Sequence, residues 1–159
     1  MALIPVSFSI AGETQYARAF AALAREAADL REPLAEIGDS IIDTVGKQFQ
    51  TEGAHGGARW APLNPDYAAY KESVRPGRPL LVFDALMRQA ALSRSALTVG
   101  PRSLVYEIRD EKAIHHQQGH GNLPQRKLVE IPGHVRREWD RSFVEWLNSI
   151  RRGPLWRAV

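Results

Sequence analysis

SALTVGPRSLVYEIRD, residues 95–110, is the stretch whose reading decides the fold. Leu97 to Val99 on one side and Leu104, Val105, Tyr106 and Ile108 on the other are rich in β-branched and aromatic side chains. Gly100-Pro101-Arg102 separates the two runs. β-rich runs around a Gly-Pro break predict a β-hairpin with a loop of about three residues.

Outward from this hairpin the period changes to that of helices. Upstream, GETQYARAFAALAREAADL (12–30) is alanine-rich and places Phe20, Leu23, Ala27 and Leu30 on one helical face. Pro33 suits the first turn of a new helix or a kink. LAEIGDSIIDTVGKQF (34–49) then repeats the stripe with Leu34, Ile37, Ile41, Val45 and Phe49, weakened somewhat by Gly38 and Gly46. Two consecutive helices, or one bent helix, with an acidic back are expected here. TEGAHGGARWAPLNP (51–65) is a Gly/Pro loop holding Trp60. Asn64 reads as an N-cap and Pro65 as the first residue of a short helix. After a second loop at 73–79, Asp84 is placed to cap ALMRQAAL (85–92), with Leu86 and Met87 facing inward.

Downstream, NLPQRKLVEIP (122–132) reads as loop and short extended chain. GHVRREWDRSFVEWLNSIRR (133–152) is an amphipathic helix striped by Val135, Trp139, Phe143, Trp146, Leu147 and Ile150, and stopped by Gly153-Pro154. MALIPVSFSI at the start lacks Lys or Arg before its apolar run and alternates like a strand, not a secretory signal. The expected fold is α+β, a small antiparallel sheet packed against amphipathic N-terminal and C-terminal helices. Residues 1–152 form a single domain in this reading, and 153–159 a short tail suited to an inter-subunit arm.

Composition narrows the function classes. The absence of cysteine removes disulfides and Cys-based zinc sites. No run is long enough to span a membrane, so cytoplasmic synthesis is the default. A net charge of +3 does not call for strong non-specific nucleic-acid binding, but its distribution is uneven. Residues 11–53 carry four basic and eight acidic side chains, and residues 125–159 eight basic and four acidic. That is either solvated surface or a head-to-tail contact between identical subunits.

KAIHHQQGHG (112–121) is the most chemical-looking segment. His116 and His120 are four apart, a spacing that serves zinc on one helical face. Gly119 and Gly121 interrupt the stretch, however, and Gln117 stands where an HExxH motif has its general base. A small metal-dependent hydrolase using His115, His116 and His120 remains an alternative, as does a monomeric binding module. No GxSxG elbow is present. A Walker A loop around Gly46-Lys47 would need glycine at position 41 and Ser or Thr at 48, where Ile41 and Gln48 stand. Asp39 and Asp43 are one turn apart, as paired catalytic carboxylates or as a solvated acidic face. Trp60 is a core plug or an interface anchor, and Trp156, beyond the last helix, is the candidate for contact with a neighbouring subunit.

The order of these pieces resembles a known family. FQTEGAHGGARWAPLNPDYAAYK (49–71) is similar to the segment of phage virion morphogenesis proteins in which a Phe-ending helix leads to a Gly-x-x-Trp-x-Pro-Leu turn, here Gly57, Trp60, Pro62 and Leu63. KAIHHQQGHGNLPQRKLVEI (112–131) resembles their Ala-x-x-His-Gln-x-Gly segment followed by Pro-x-Arg and an apolar strand. The matching residues are Ala113, His116, Gln117, Gly119, Pro124, Arg126 and Leu128. Phe83-Asp84 departs from the family's Thr-Gly pair, and Lys112 stands where a Tyr is usual. The resemblance runs from about residue 6 to residue 150.

It implies a tail-completion protein of Mu-like tailed phages or prophages, structural and without catalytic residues or cofactor. Its partners would be itself, in a homo-oligomeric ring with a hexamer among the open sizes, and the phage tail tube and head–neck proteins. DNA passing through the lumen would be touched only through its backbone. Such a protein works in the bacterial host cytoplasm during assembly and then in the virion tail or neck, with no membrane partner. Under this reading the acidic N-terminal helices of one subunit meet the basic C-terminal end of the next. His116 and Gln117 fix by side-chain hydrogen bonds the turn out of the hairpin and the approach to Pro124-Gln125-Arg126. Gly119 supplies the bend, and His115 and His120 are incidental.

Overall fold

Helix α1 (Arg31–Gln50) is the axis on which residues 86–92, the hairpin and the C-terminal helix pack. The computed structural model describes residues 27–151 and, ahead of them, Ala17, Ala21, Ala24 and Arg25. The expected strand at 1–10, most of the first expected helix, and the tail with Trp156 lie outside the described residues. Pro33 falls in the first turn of α1, where its missing N–H costs nothing. Val45 and Phe49 from its apolar stripe are buried in the core. Gly38, which reads in the sequence as a weak point, lies under the hairpin. A Cβ there would come within 3.1 Å of a Leu97 methyl, so the glycine lets the strands approach the helix closely.

The Asn64 side chain accepts from the Asp66 N–H at 2.9 Å and opens α2 (Pro65–Val74). Helix α3 (Leu86–Leu92) departs from expectation in two details. The residue before it, Ala85, has φ +68, so Asp84 accepts from Leu86 N–H from one position further out. Leu86 is 58% exposed, not inward. The inward face is Met87 with Ala91, four residues apart, and a residue next to Met87 points about 100° away.

The hairpin forms from β1 (Leu97–Val99) and β2 (Leu104–Tyr106), antiparallel with Leu97 opposite Tyr106 and Val99 opposite Leu104. Its loop takes four residues, closed by Gly100 N–H to Ser103 C=O at 2.8 Å, one more than expected. Two strands alone are marginal in water. This pair is held by α1 beneath Leu97 and by the Tyr106 hydroxyl, which donates to Ala91 C=O at 2.7 Å.

The histidine segment is a helix, α4 (Glu111–Gln118), where a turn was expected. The Asp110 side chain accepts from Lys112 N–H at 2.9 Å, and Gly119 at φ +77 ends the helix. The glycines thus terminate a short helix; they do not prevent one. Helix α5 (Gly133–Arg151) runs along α1, with Trp139 Nε1–H donating to Ser40 Oγ at 2.8 Å. Only Val135 of its stripe is fully buried; Trp139, Phe143, Trp146 and Ile150 are half-buried and Leu147 is exposed.

The fold is α+β: helices around one core, with a small two-stranded antiparallel sheet. That core joins Val45 and Phe49 to Trp60, Val82, Met87 and Leu128. No helix among the described residues is long and apolar enough to cross a membrane.

Candidate functional site

The loop at 51–63 and the chain at 117–129 lie against each other, joined by side chains that bond to main chain. Trp60 is 7% exposed, packs edge-on against Phe49 at 5.5 Å and donates its Nε1–H to Lys127 C=O at 2.9 Å. The same carbonyl accepts from Gln48 Nε2 at 3.2 Å, while Gln48 Oε1 accepts from Gly56 N–H at 2.7 Å. The turn needs glycine at 53. Its φ is +93, and a Cβ would sit 2.5 Å from Trp60 Cδ1.

From the other side, Arg126 donates Nε–H to Ala61 C=O and Nη2–H to Pro62 C=O, each at 2.7 Å. Gln117 behaves like a strand partner. Its Oε1 accepts from Leu128 and Val129 N–H at 2.8 and 3.0 Å, and its Nε2 donates to Val129 C=O at 3.0 Å. His116 contributes through its backbone, whose C=O accepts from Arg126 N–H at 2.7 Å. Its imidazole Nδ1 is buried without a partner among the described residues. The side-chain bonding expected of the His116-Gln117 pair therefore belongs to Gln117 alone. Gly119 is closed in by Gln125 N and Leu123 O, which would lie 3.2 and 3.3 Å from a Cβ.

This clasp brings together Trp60, Pro62, Gln117 and Arg126 from segments some sixty residues apart. Gly57 lies outside it. A Cβ there would meet nothing within 4 Å, and only its φ of +126 calls for glycine. Gln48 and Gly53, central to the clasp, carry no motif in the sequence.

Beside the clasp opens a groove of about 700 Å³, between α2, the 80–87 segment, α4 and residues 122–126. The size suits a small ligand or a few side chains. Leu63 and Pro124 face it, and Leu81, Met87 and Leu123 add to an apolar wall. Two cations are buried in that wall. Arg126 is 2% exposed and Lys71 is 4% exposed. Lys71 Nζ donates to the carbonyls of Pro79 and, at 2.9 Å, Leu80. No carboxylate lies within 4 Å of either cation among the described residues. Burial pushes the pKa of both downward, opposed at Lys71 by the charges of Glu52 and Glu72. His116, also in the wall, is held below its ordinary pKa by burial first and by the Arg126 charge second.

The three histidines of the segment do not converge. Helix α4 ends at Gln118, so His116 and His120 are not one helical turn apart. His120 instead bridges to Leu123, and its ring lies 5.1 Å from that of His115, tilted by 45°. Among the described residues no three His, Asp or Glu side chains are placed to hold a metal ion. Asp39 and Asp43 pair with Arg94 and Lys47 at 2.8 and 2.7 Å on the solvent side of α1.

Compared with known proteins, residues 12–142 match the family model of the phage virion morphogenesis family. No curated protein and no solved structure matches the chain.

Proposed function

Because the chain belongs to the phage virion morphogenesis family, we propose that it acts as a tail-completion or neck component: a homo-oligomeric ring at the head-proximal end of a phage tail that helps join head to tail. A structural role in virion assembly is what the family indicates; the ring, its place on the tail and the absence of catalysis are the finer reading. The observation that carries it is the family match across residues 12–142 of the 159.

Two features of the molecule support the finer reading. The motif side chains Trp60, Gln117 and Arg126 bond to main-chain groups of the same subunit, which is the work of a scaffold. Some charges of α1 and α5 also have no ion-pair partner among the described residues, although Asp39 and Asp43 of α1 pair with Arg94 and Lys47. Glu36 on α1 and Arg136, Arg137 and Arg141 on α5 are exposed, and no ion pair joins the two helices among the described residues. Exposed charges of both signs on one subunit are compatible with heterologous contact, the kind that closes into rings.

Light scattering with electron microscopy of the full chain tests the ring. Annular particles that dissociate as salt rises are expected. A chain that stays monomeric at low salt and high concentration, with tail proteins added as well, overturns it. Deleting residues 154–159 is expected to shrink the oligomer while leaving the circular dichroism spectrum intact; unchanged oligomer size removes Trp156 from the contact.

A further inference from the structure

We propose that the groove between α2 and α4 is a docking site for an acidic, apolar segment of a partner polypeptide, seated with its carboxylate toward Arg126 and Lys71. The argument begins with charge. Taking a cation out of water is costly unless an anion accompanies it. Here two cations are almost fully buried in one wall and donate only to neutral carbonyls; Glu52 and Glu72 act on Lys71 from beyond ion-pair distance, and burial alone governs Arg126. Among the described residues Arg126 Nη1 is buried without an acceptor. Lys112 adds a third, exposed cation at the rim, and among the described residues Asp84 is the only acid in the lining. Apolar walls of low dielectric concentrate the field of such charges in the open space between them.

The rim argues for a polypeptide as the source of the carboxylate. Tyr67 and Tyr70 are exposed and lie 6.2 Å apart, and Tyr70 stacks on Phe83 at 6.4 Å, so an aromatic ledge leads into the groove. Exposed apolar ledges beside a pocket mark protein contacts, and tyrosine is prominent among residues that dominate such contacts. The apolar wall takes an aliphatic or aromatic side chain next to the acid. The inference rests on the assembly reading only in taking the occupant to be a protein.

The test is fluorescence anisotropy of the full chain with a labelled, end-capped hexapeptide centred on Leu-Glu-Phe, and with its Leu-Gln-Phe counterpart. The Glu peptide should bind about tenfold more tightly than the Gln peptide, the loss expected for one charge-assisted hydrogen bond. Lys112→Glu, in the first turn of α4 where an acid suits the helix, should weaken the Glu peptide without shifting the melting curve. Tyr67→Ala should weaken both peptides. Equal binding of the two peptides, or binding indifferent to both substitutions, overturns the proposal. So does loss of self-association in Lys112→Glu with no peptide present, which would make a second copy the occupant. Rings without peptide binding count against this inference alone; peptide binding without rings counts against the ring alone.

Discussion

At the clasp, Trp60 and Arg126 deliver polar atoms to main-chain groups far away in sequence and Gln117 to those of Leu128 and Val129, and all three lie against or within the core. Along α5, Trp139 and Trp146 each reach α1 with a single N–H, while Val144 and Leu147 stay in solvent. The sequence pattern ranks the two the other way round. Helix α5 has the clear amphipathic stripe, whereas the 51–63 loop is glycine, proline and one tryptophan. Periodicity reports that a helix has an apolar face; it does not report whether the subunit itself covers that face. The clasp makes most of its bonds within the chain, with Arg126 Nη1 and His116 Nδ1 left over among the described residues, whereas α5 leaves apolar and charged side chains exposed.

The largest effect should come from Trp60→Ala. It empties a buried ring site against Phe49 and leaves the Lys127 carbonyl with only Gln48, a loss of about 4 kcal/mol. Urea unfolding measures it. A loss comparable to that of a surface substitution would mean that the clasp does not hold the fold. Next comes Gln117→Ala, which strips partners from Leu128 N–H, Val129 N–H and Val129 C=O at once, costing about 2 kcal/mol. Gln117→Glu separates hydrogen bonding from volume. It still accepts from the two N–H groups but faces the Val129 carbonyl with an oxygen, so it should fall between wild type and Gln117→Ala. A midpoint equal to wild type would break the assignment.

A smaller, pH-dependent effect follows from His116. Burial and the Arg126 charge hold its pKa below the ordinary 6.5 in the folded chain. Well above the ordinary pKa of 6.5 the imidazole is neutral in both states and adds no pH dependence. As pH falls below that value the unfolded chain takes up a proton that the folded chain refuses, so stability drops. Between pH 7.5 and 5.5 the urea midpoint of His116→Gln should therefore fall less than that of wild type. Equal drops would show that the imidazole is not desolvated at the edge of the clasp.

What the sequence made legible follows from how local each signal is. Helices α1, α2 and α5 and the hairpin rest on periodicity and on neighbours such as Asn64-Pro65, all readable within one segment. Helix α4 was obscured because glycines at 119 and 121 look like interruptions. Asp110 and Gly119 in fact bracket the eight residues as cap and stop. Trp60, Pro62, Gln117 and Arg126 of the two similar segments stand close together and Gly57 lies apart from them, but which atom does what depended on packing. A side-chain role was expected for His116, and its carbonyl has it. Gln48 and Lys71 had no local signal at all. Each is a polar residue on a helix, buried because carbonyls at Lys127, Pro79 and Leu80 happen to meet it, and only the folded chain sets those distances.

The comparison between clasp and α5 is broken or sharpened most cleanly by the substitution expected to cost least. Val144 is 54% exposed on α5 and touches no ion pair or hydrogen bond network of the subunit. Val144→Asp should therefore change the unfolding free energy by less than about 0.5 kcal/mol. If α5 is surface kept for a neighbour, the same substitution places a charge inside an apolar contact, and oligomers seen by light scattering should shrink although the fold is untouched. Retention of both stability and oligomer size would make the outer face of α5 ordinary solvated helix. Loss of stability in the monomer would mean that α5 is packed within its own subunit after all, and the contrast with the clasp would disappear.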